Sequence, residues 1–544
     1  MPAERPAATG AGRWKPLAVL GTAQFLMVLD ASVMNVSISQ LVKDFHTEVT
    51  AIQAVITLYT LVMAAFMLTG GKIGDLFGRR RVFVVGLAVY GVGSGLTALA
   101  PTVGVLALGW SVIEGLGAAL VLPALAALAA GSYRGRDRAV AYGVIGGLAG
   151  AGIAVGPLLG GWVTTYLTWR LVFAGEVVLV AAILLLMGWI PAQPPPAHRP
   201  RLDGIGALLS AAALALMVLA VLQSGSWGWV QPRNPPFTVL GFAPTLFVIA
   251  IGAGLLYAFA AHERRRERRG LTPLVSLGLF ENKPLRSGLM TLFNQNTVLL
   301  GLFFVIPLYL QVVQGLDAFE TGLRLLPVSV TMLATSMCGS LLLRYASPRA
   351  ICRIGLLVLL ASTLWLITAI GPQLKGSSFA GAMALLGIGM GLLASQLGNT
   401  VQSSVQADQR SEAGGLQYTA QNLGSSLGTA LIGAILIGAL ATSVTSRIES
   451  DPRVSQAVAE QSAVHIEAGL SFVPADRVAA ALASHPEVPP QEAAAIVEHY
   501  RDAQIQGLKT AVLACACITA GALFFTRRLP ADRPSRPQQG GRRP

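Results

Sequence analysis

Residues 70–81 read GGKIGDLFGRRR and join two apolar runs that are each long enough to cross a bilayer. Four of these twelve residues are cationic, and a short loop that basic stays on the cytoplasmic side of a membrane. Glycines at positions 70, 71, 74 and 78 allow two helix ends to approach closely, and the carboxylate of Asp75 lies among cations and helix termini. A basic inside loop would explain the arginines, whereas the spacing G-x-x-x-D-x-x-G-R-R needs a further cause.

The composition is that of a polytopic membrane protein. Of the 544 residues, 53% are hydrophobic and 12% are charged, whereas a soluble globular chain has roughly 25% charged residues. The net charge of +13 is compatible with nucleic acid or anionic lipid as a partner, but the cations lie in loops between apolar runs, which argues against nucleic acid. The four cysteines lie in or beside apolar runs, so we expect neither a disulfide framework nor a metal site.

Apolar runs of about 20 residues mark helices that can cross the hydrocarbon core of a bilayer. The sequence contains fourteen such runs, and an even number places both termini on one side. Roughly three quarters of the 39 lysines and arginines fall on that side, which the positive-inside rule assigns to the cytoplasm. The predicted spans are residues 17–40, 50–71, 82–100, 104–130, 139–164, 171–190, 204–223, 237–260, 287–313, 321–343, 351–371, 378–401, 414–441 and 508–526.

Three motifs carry a resemblance to a known family. The spacing in residues 70–81 resembles the loop signature of the major facilitator superfamily. Residues 29–36, LDASVMNV, resemble the first-helix signature of its 14-helix drug:proton antiporter family, and residues 152–161, GIAVGPLLGG, resemble the superfamily's antiporter motif. The resemblance implies an all-α polytopic membrane protein with the major facilitator fold, in which two six-helix bundles and two inserted helices give 14 transmembrane helices.

The spans and the resemblance together predict an organisation along the chain. Helical apolar spacing after the thirteenth span predicts a small extracellular cap. Gly424 and Gly428 repeat the glycine spacing of span five, and residues 339–349 echo the first basic loop without its carboxylate, as expected of two repeated halves. The predicted segments are a cytoplasmic tail 1–16, a six-helix bundle 17–190, two inserted helices 191–260, a basic cytoplasmic linker 261–286, a second six-helix bundle 287–526 with an extracellular segment 442–507, and a cytoplasmic tail 527–544.

The resemblance also implies roles for two of the motifs. In span five, glycines four residues apart permit tight helix packing and a proline bends the helix, so this helix could govern switching and limit proton leak. The first basic loop is implied to be the gate or conformational switch. The gating residues are Gly71, Gly74, Asp75, Gly78, Arg79 and Arg80, and those of the antiporter helix are Gly152, Gly156, Pro157, Gly160 and Gly161.

Three acids, Asp30, Glu114 and Glu176, lie within predicted spans. An acid inside a membrane is costly, so a proton-coupling function is the default hypothesis and structural pairing is the alternative. A rise of 1.5 Å per residue places Asp30 past the midplane, Glu114 near it and Glu176 roughly 8 Å below the outer surface. A cationic substrate can take the place of a proton at such a carboxylate, and mutual exclusion at one group is sufficient for antiport.

Span four departs from the family pattern, which has an arginine followed three residues later by a glutamine. In residues 111–118, SVIEGLGA, Ser111 stands in place of the arginine and Glu114 in place of the glutamine. A proton relay through that arginine is therefore not expected. We predict instead that Glu114 carries the proton or shares it with Asp30.

The second half contains no acid inside a predicted span, but it offers amides and aromatic residues. We expect these side chains to line part of an apolar cavity that accepts varied substrates, with neutral contacts between helices as the alternative. The predicted cavity residues are Met34, Asn35, Asn294, Gln295, Gln417, Tyr418 and Gln421.

The function implied by the resemblance is a proton-coupled exporter, an antiporter of hydrophobic and mainly cationic drugs or antibiotics. The alternative is a proton-coupled or facilitative transporter of a specific metabolite. No Ser/His or HExxH cluster lies near a membrane face and no G-x-x-x-x-G-K-[ST] loop is present, so neither an enzyme nor direct ATP drive is expected. We expect a monomer without a cofactor in the plasma membrane, with protons, lipid and a small hydrophobic substrate as its partners.

Overall fold

The computed structural model describes residues 10–47, 49–191, 202–232, 235–343, 345–407, 409–455, 472–483 and 489–531. Within these ranges the chain is almost entirely helical, apart from one isolated bridge between Val239 and Phe242. The helices are α1 Lys15–Asp44, α2 Val49–Phe77, α3 Arg79–Ala98, α4 Val103–Ser132, α5 Gly135–Tyr166, α6 Arg170–Leu185, α7 Gly204–Trp227, α8 Thr245–Arg268, α9 Lys283–Leu308, α10 Ala318–Leu342, α11 Pro348–Ala369, α12 Gly376–Ser403, α13 Arg410–Ser450, α14 Ala475–Ala483 and α15 Pro490–Phe525.

All of these helices except α14 are long and apolar enough to cross a membrane, which gives 14 in the described residues. The count predicted from hydropathy is therefore confirmed. Several predicted ends are wrong. The predicted span 237–260 corresponds to α8, which begins at Thr245, after Pro244, and continues to Arg268. In addition, α13 continues to Ser450 and α15 begins at Pro490. Hydropathy falls where polar residues appear, but the helices continue because Val444 and Ile448 remain buried against the start of α15.

The extensions of α13 and α15 form a cap together with α14. Ion pairs join the two long helices, with 3.0 Å between Arg447 Nη1 and Asp502 Oδ2. Helix α14 confirms the helical spacing that predicted a cap, and its Val478 and Leu482 pack on the cap core. Residues 456–471 and 484–488, which belong to the predicted extracellular segment, lie outside the described residues.

The buried apolar residues form two large clusters. One draws on α1 to α6 together with Tyr418 of α13, and the other on α7 to α13 and α15 together with Leu68 of α2. The inserted helices α7 and α8 pack on each other, and α7 also contacts α2 and α13, one helix from each half. Of the predicted tails, residues 1–9 and 532–544 lie outside the described residues, and the domain boundaries stay predictions.

Glycines set the same close helix packing in both halves. A Cβ at Gly152 would lie 3.2 Å from the carbonyl oxygen of Phe25 in α1. A Cβ at Gly428 would lie 2.9 Å from the Cα of Thr297 in α9. Helix α5 thus packs on α1 as α13 packs on α9, which is the correspondence expected from the repeated glycine spacing.

Candidate functional site

The turn between α2 and α3 lies at one end of the bundle, which we call the basic face; the other end is the opposite face. Gly78 has φ +92°, a left-handed conformation that glycine adopts readily. Arg79 then begins α3, and its Nη2 lies 3.1 Å from Asp75 Oδ1 one turn earlier. Arg80 donates a 3.0 Å hydrogen bond to the carbonyl oxygen of Met187 after α6. The predicted gating residues therefore form one connected unit in the first half.

This unit also holds the second half. Arg79 Nε donates a 2.7 Å hydrogen bond to Ser411 Oγ, and its Nη2 donates a 2.6 Å bond to the carbonyl oxygen of Ala407. A Cβ at Gly71 would lie 2.7 Å from the carbonyl oxygen of Ser411, and Gly74 faces the same serine. The basic face is therefore closed between α2 and the start of α13.

A buried ion pair lies beside this contact. Lys72 Nζ is 3.8 Å from Glu412 Oε2, and both side chains are less than one tenth exposed. Glu412 also accepts a hydrogen bond from the backbone N–H of Ser276 in the segment between α8 and α9. Glu412 is not among the residues predicted from the sequence, because it lies just before the predicted start of span thirteen, where an acidic residue is ordinary.

The segment of residues 270–281, which we call the strap, is held through its backbone. Glu263 Oε2 in α8 accepts a 2.7 Å hydrogen bond from Leu274 N–H, and Glu267 Oε1 accepts a 2.9 Å bond from Leu277 N–H. With the bond from the strap to Glu412, these contacts tie the inserted helix α8 to the start of α13. The predicted basic linker thus includes acids that fix its path.

Asp203, His262 and Glu263 form a group with metal-ligand spacing at the start of α7. Arg266 Nε lies 3.2 Å from Asp203 Oδ2, the same oxygen that faces His262 Nε2 at 3.0 Å. Burial of Asp203 raises the pKa of its carboxyl group. A hydrogen bond from the backbone N–H of Gly206 and the positive charges of Arg266 and His262 have a larger, opposite effect, so the pKa lies below its ordinary value. The carboxylate is already paired with a guanidinium, which argues against a metal ion there.

The three acids predicted from the sequence converge inside the first half. One carboxylate oxygen from each of Asp30, Glu114 and Glu176 lies within 4.8 Å of the others. All three side chains are at most 1% exposed. Among the described residues, no lysine, arginine or histidine forms an ion pair with them. We call these residues the acid cluster.

Neutral donors surround the acid cluster. Trp110 Nε1 donates a 2.8 Å hydrogen bond to Asp30 Oδ1, and Ser94 Oγ donates a 3.2 Å bond to Glu176 Oε2. Tyr59 stacks on Trp110 with 4.4 Å between ring centroids. Asp30 Oδ2, both Glu114 oxygens and Glu176 Oε1 are buried without a hydrogen-bond partner.

This arrangement fixes what the acid cluster can do. Three buried carboxylates at this spacing repel one another, and they cannot all be ionised without a cation among them. The unpartnered oxygens could therefore accept protons or the positive group of a ligand. Because Asp30, Glu114 and Glu176 all lie in helices and not in loops, their carboxylates cannot easily move apart to reduce this repulsion.

Local backbone geometry brings Glu114 to this position. Residues Ala107–Glu114 of α4 form a π-helical turn, a rare distortion that occurs often at functional sites. Ser111, which stands where the family has arginine, donates a 2.7 Å hydrogen bond to the carbonyl oxygen of Val55. It therefore holds α4 to α2 and lies outside the hydrogen bonds of the acid cluster.

The predicted cavity residues do not form one group. Met34 is fully buried in the core of the first half, and Gln295 is buried with Nε2 3.9 Å from Met390 Sδ. Tyr418 Oη instead crosses between the halves and donates a 2.8 Å hydrogen bond to Gln24 Oε1. Asn294 bonds the carbonyl oxygen of Met290 in its own helix. Gln417 is buried and Gln421 is half-buried. The side chain of Asn35 is not among those that the structure describes. The substrate cavity therefore stays a prediction.

The glycine run of the antiporter motif lies mainly inside the first half. Gly156 faces Ser32, and Gly160 faces Val33, both in α1 near Asp30. The sequence did not identify the glycines of α5 that meet the second half. Gly143, Gly147 and Gly150 face α10, and Gly146 faces Ala394 in α12. Gly161 is buried, and the side chain of Pro157 lies outside the described set.

The sequence placed the three acids at different depths in the membrane, whereas the structure brings their carboxylates within 4.8 Å of one another. The depth of each acid was counted from the predicted end of its span, which assumes that all spans enter the membrane at the same height. Helix α1 runs to Asp44, four residues beyond its predicted span, and Trp169 before α6 bonds the Asp44 carboxylate. The sequence also gave no sign of Trp110, Tyr59 or Ser94, because aromatic and serine residues are ordinary inside apolar spans.

Comparisons with known proteins agree with this architecture. The chain is 32% identical over 436 residues to the puromycin resistance protein pur8 of Streptomyces alboniger, covering 79% of this chain and 83% of that protein. It is 28% identical over 543 residues to the tetracenomycin C resistance and export protein of Streptomyces glaucescens, covering 97% and 95% of the two chains.

A solved structure shares the fold. The human organic anion transporter MFSD10 matches with a TM-score of 0.60 at 12% identity, covering 95% of this chain and 100% of that one. At this identity the likeness concerns the fold alone. Residues 20–429 match the family model of the Major Facilitator Superfamily. This chain therefore belongs to the Major Facilitator Superfamily, as a multi-pass membrane transporter and not an enzyme.

Proposed function

We propose that this transporter exports hydrophobic, cationic drugs or antibiotics in exchange for protons by alternating access. The observation that carries the proposal is the acid cluster, in which three carboxyl groups share a buried space without a basic partner among the described residues. Relatives named for antibiotic resistance and export support the direction and the class of substrate.

The basic face is assigned to the cytoplasm in this proposal, with both termini on that side. The excess of lysine and arginine in its loops supports this orientation. The contacts of Arg79 and Lys72 with α13 then describe a state closed toward the cytoplasm. Opening inward requires these contacts to break, together with the bond between the strap and Glu412.

In the proposed cycle, protons from outside neutralise the acid cluster, and the neutral cluster permits the inward-open state. A cationic substrate from the cytoplasm then competes for Asp30 and Glu114, and the protons leave inward. The driving force is adequate, since one proton provides about 2.3 kcal/mol per 100 mV and about 1.4 kcal/mol per pH unit. For a monovalent cation exchanged for one proton the electrical terms cancel, so the pH difference alone sustains about a tenfold substrate gradient per pH unit, whereas for an uncharged substrate the two terms add.

Cells that produce the wild type or Asp30→Asn would be compared for accumulation of cationic dyes and antibiotics, with and without a protonophore. We expect low accumulation in the wild type that rises with the protonophore, and high accumulation in Asp30→Asn at equal protein levels. Equal accumulation in both strains without a protonophore effect would contradict the proposal. Uptake of one compound in energised cells would favour the metabolite transporter instead.

A further inference from the structure

A groove on the outer flank of the second half combines apolar walls with arginines at one end. It has a volume of about 450 Å³ and lies between α11 and α15. Its walls are Leu357, Ala520, Leu523 and Phe524, and its arginines are Arg353 and Arg527. Leu357 and Phe524 are more than half exposed, so their apolar surface faces the surroundings of a membrane protein.

Both arginines are held at the basic-face end of the groove. Arg353 lies in the second turn of α11, and its Nε donates a 3.2 Å hydrogen bond to Thr526 Oγ1. Arg527 follows the end of α15, with its guanidinium 4.7 Å from the centroid of the Phe524 ring. An arginine has five N–H donors, so most donors of both groups remain available to a ligand.

Among the described residues, the charges of this groove have no balancing acid. Neither Arg353 nor Arg527 forms an ion pair with any described carboxylate. Arg349, which bonds the carbonyl oxygen of Leu529, adds a third cation in the first turn of α11. A helix N-terminus is electropositive, so the arginines in the first two turns of α11 do not stabilise this helix. An anion bound between these arginines and the helix N-terminus would stabilise it.

We propose that this groove binds an anionic phospholipid, with the phosphate between Arg353 and Arg527 and an acyl chain along Leu357 and Phe524. A basic pocket between transmembrane helices at headgroup level is suited to such a lipid. A soluble phosphate would use the arginines alone and leave the apolar walls uncovered. The bound lipid would connect the beginning of α11 to the end of α15.

The test uses the purified full-length chain, with native mass spectrometry of retained lipid and thermal unfolding as readouts. Phosphatidylglycerol, phosphatidylcholine with the same acyl chains, and glycerol phosphate would each be added. We expect retention and stabilisation by phosphatidylglycerol only. Each arginine should contribute about fivefold to lipid retention at low salt, so retention in Arg353→Gln/Arg527→Gln should fall by about thirtyfold.

Arg264→Gln/Arg265→Gln is the matched control, because it removes two exposed arginines at the end of α8 and should leave retention unchanged. If the double groove variant does not fold, the single Arg527→Gln, in the short 3-10 turn after α15, replaces it with an expected fivefold loss. Equal retention in the groove and control variants would overturn the proposal. Stabilisation by phosphatidylcholine to the same extent, or by glycerol phosphate alone, would overturn it as well.

Discussion

Tyr418 in α13 donates a 2.8 Å hydrogen bond to Gln24 in α1 and so connects the two halves of the transporter. Gln24 precedes Asp30 by six residues, which is about 9 Å along the helix axis. One helix therefore carries both a member of the acid cluster and a bond to the second half. A change at Asp30 that moved α1 would act directly on the contact between the halves.

Tyr418→Phe tests this link. The variant keeps the ring but loses a bond that contributes about 1 kcal/mol, so we expect the ratio of closed to open basic face to fall about fivefold. Spin-label distances across the basic face between α2 and α13 measure this ratio. Tyr142→Phe, which loses a bond to Ala126 within the first half, should leave it unchanged. The same distance distribution in all three proteins would refute the link.

Arg79→Lys tests the gate. Lysine keeps the charge but cannot reproduce the three contacts with Asp75, Ser411 and Ala407. We expect export of a fluorescent substrate to fall at least tenfold at equal protein levels. Arg81→Ala removes an exposed neighbouring arginine and should retain export. Full export in Arg79→Lys together with loss of export in Arg81→Ala would mean that the loop acts through its charge alone, and would contradict this prediction.

Trp110→Phe tests the surroundings of the acid cluster. Phenylalanine still stacks on Tyr59, but Asp30 loses its indole donor. Hydrogen bonds to charged groups contribute roughly 1.5–3 kcal/mol, so we expect proton-driven export to fall at least tenfold with an altered pH dependence. Trp162→Phe, at a half-exposed position in α5, is the control. An unchanged pH profile in Trp110→Phe would argue against this bond in coupling.

Gly428→Ala tests the packing of α13 on α9. The new Cβ would lie 2.9 Å from the Cα of Thr297 and closer still to its carbonyl oxygen, and such overpacking costs about 1–3 kcal/mol. Gly438 in the same helix has open space around it, so Gly438→Ala should stabilise by up to about 1 kcal/mol. Thermal unfolding in detergent should therefore shift in opposite directions for the two variants. A higher melting temperature for Gly428→Ala would contradict the close packing.

The sequence predicts the helices of this fold better than it predicts their contacts. Hydropathy locates 14 spans because lipid demands long apolar helices, and glycine spacing identifies the packing of α5 and α13. The approach of Asp30, Glu114 and Glu176 depends on helix tilt and relative height, which hydropathy does not record. The link from Glu412 to the strap is made by a backbone N–H group. Almost every residue type has such a group, so the sequence does not indicate where the contact forms.

The cap on the opposite face gives a prediction about pH. Hydrogen bonds from Arg453, and one from His499, hold the pKa of Asp451 below its ordinary value. A depressed carboxyl pKa stabilises the fold above the unfolded value of about 3.9, and this contribution is lost as pH falls through the lower folded value. The cap should therefore keep this contribution at all physiological pH values.

Asp451→Asn removes this contribution. Hydrogen exchange of amides in residues 444–455 and 489–503 should be faster than in the wild type at pH 7, and the difference should shrink progressively below about pH 4 after correction for intrinsic rates. Asp476→Asn, at a highly exposed partner of Arg501, should exchange like the wild type. Equal protection at pH 7 in Asp451→Asn would show that the pairing does not stabilise the cap.

The central claim is that export and proton movement share the acid cluster. The most direct measurement places purified transporter in liposomes with a pH-sensitive dye inside and imposes a gradient of a transported cationic drug without a proton gradient. The account predicts that drug movement drives protons in the opposite direction in the wild type, and that Asp30→Asn, folded to the same extent, shows no such proton flux. Equal drug-driven proton flux in Asp30→Asn, or drug transport without proton flux in the wild type, would contradict it.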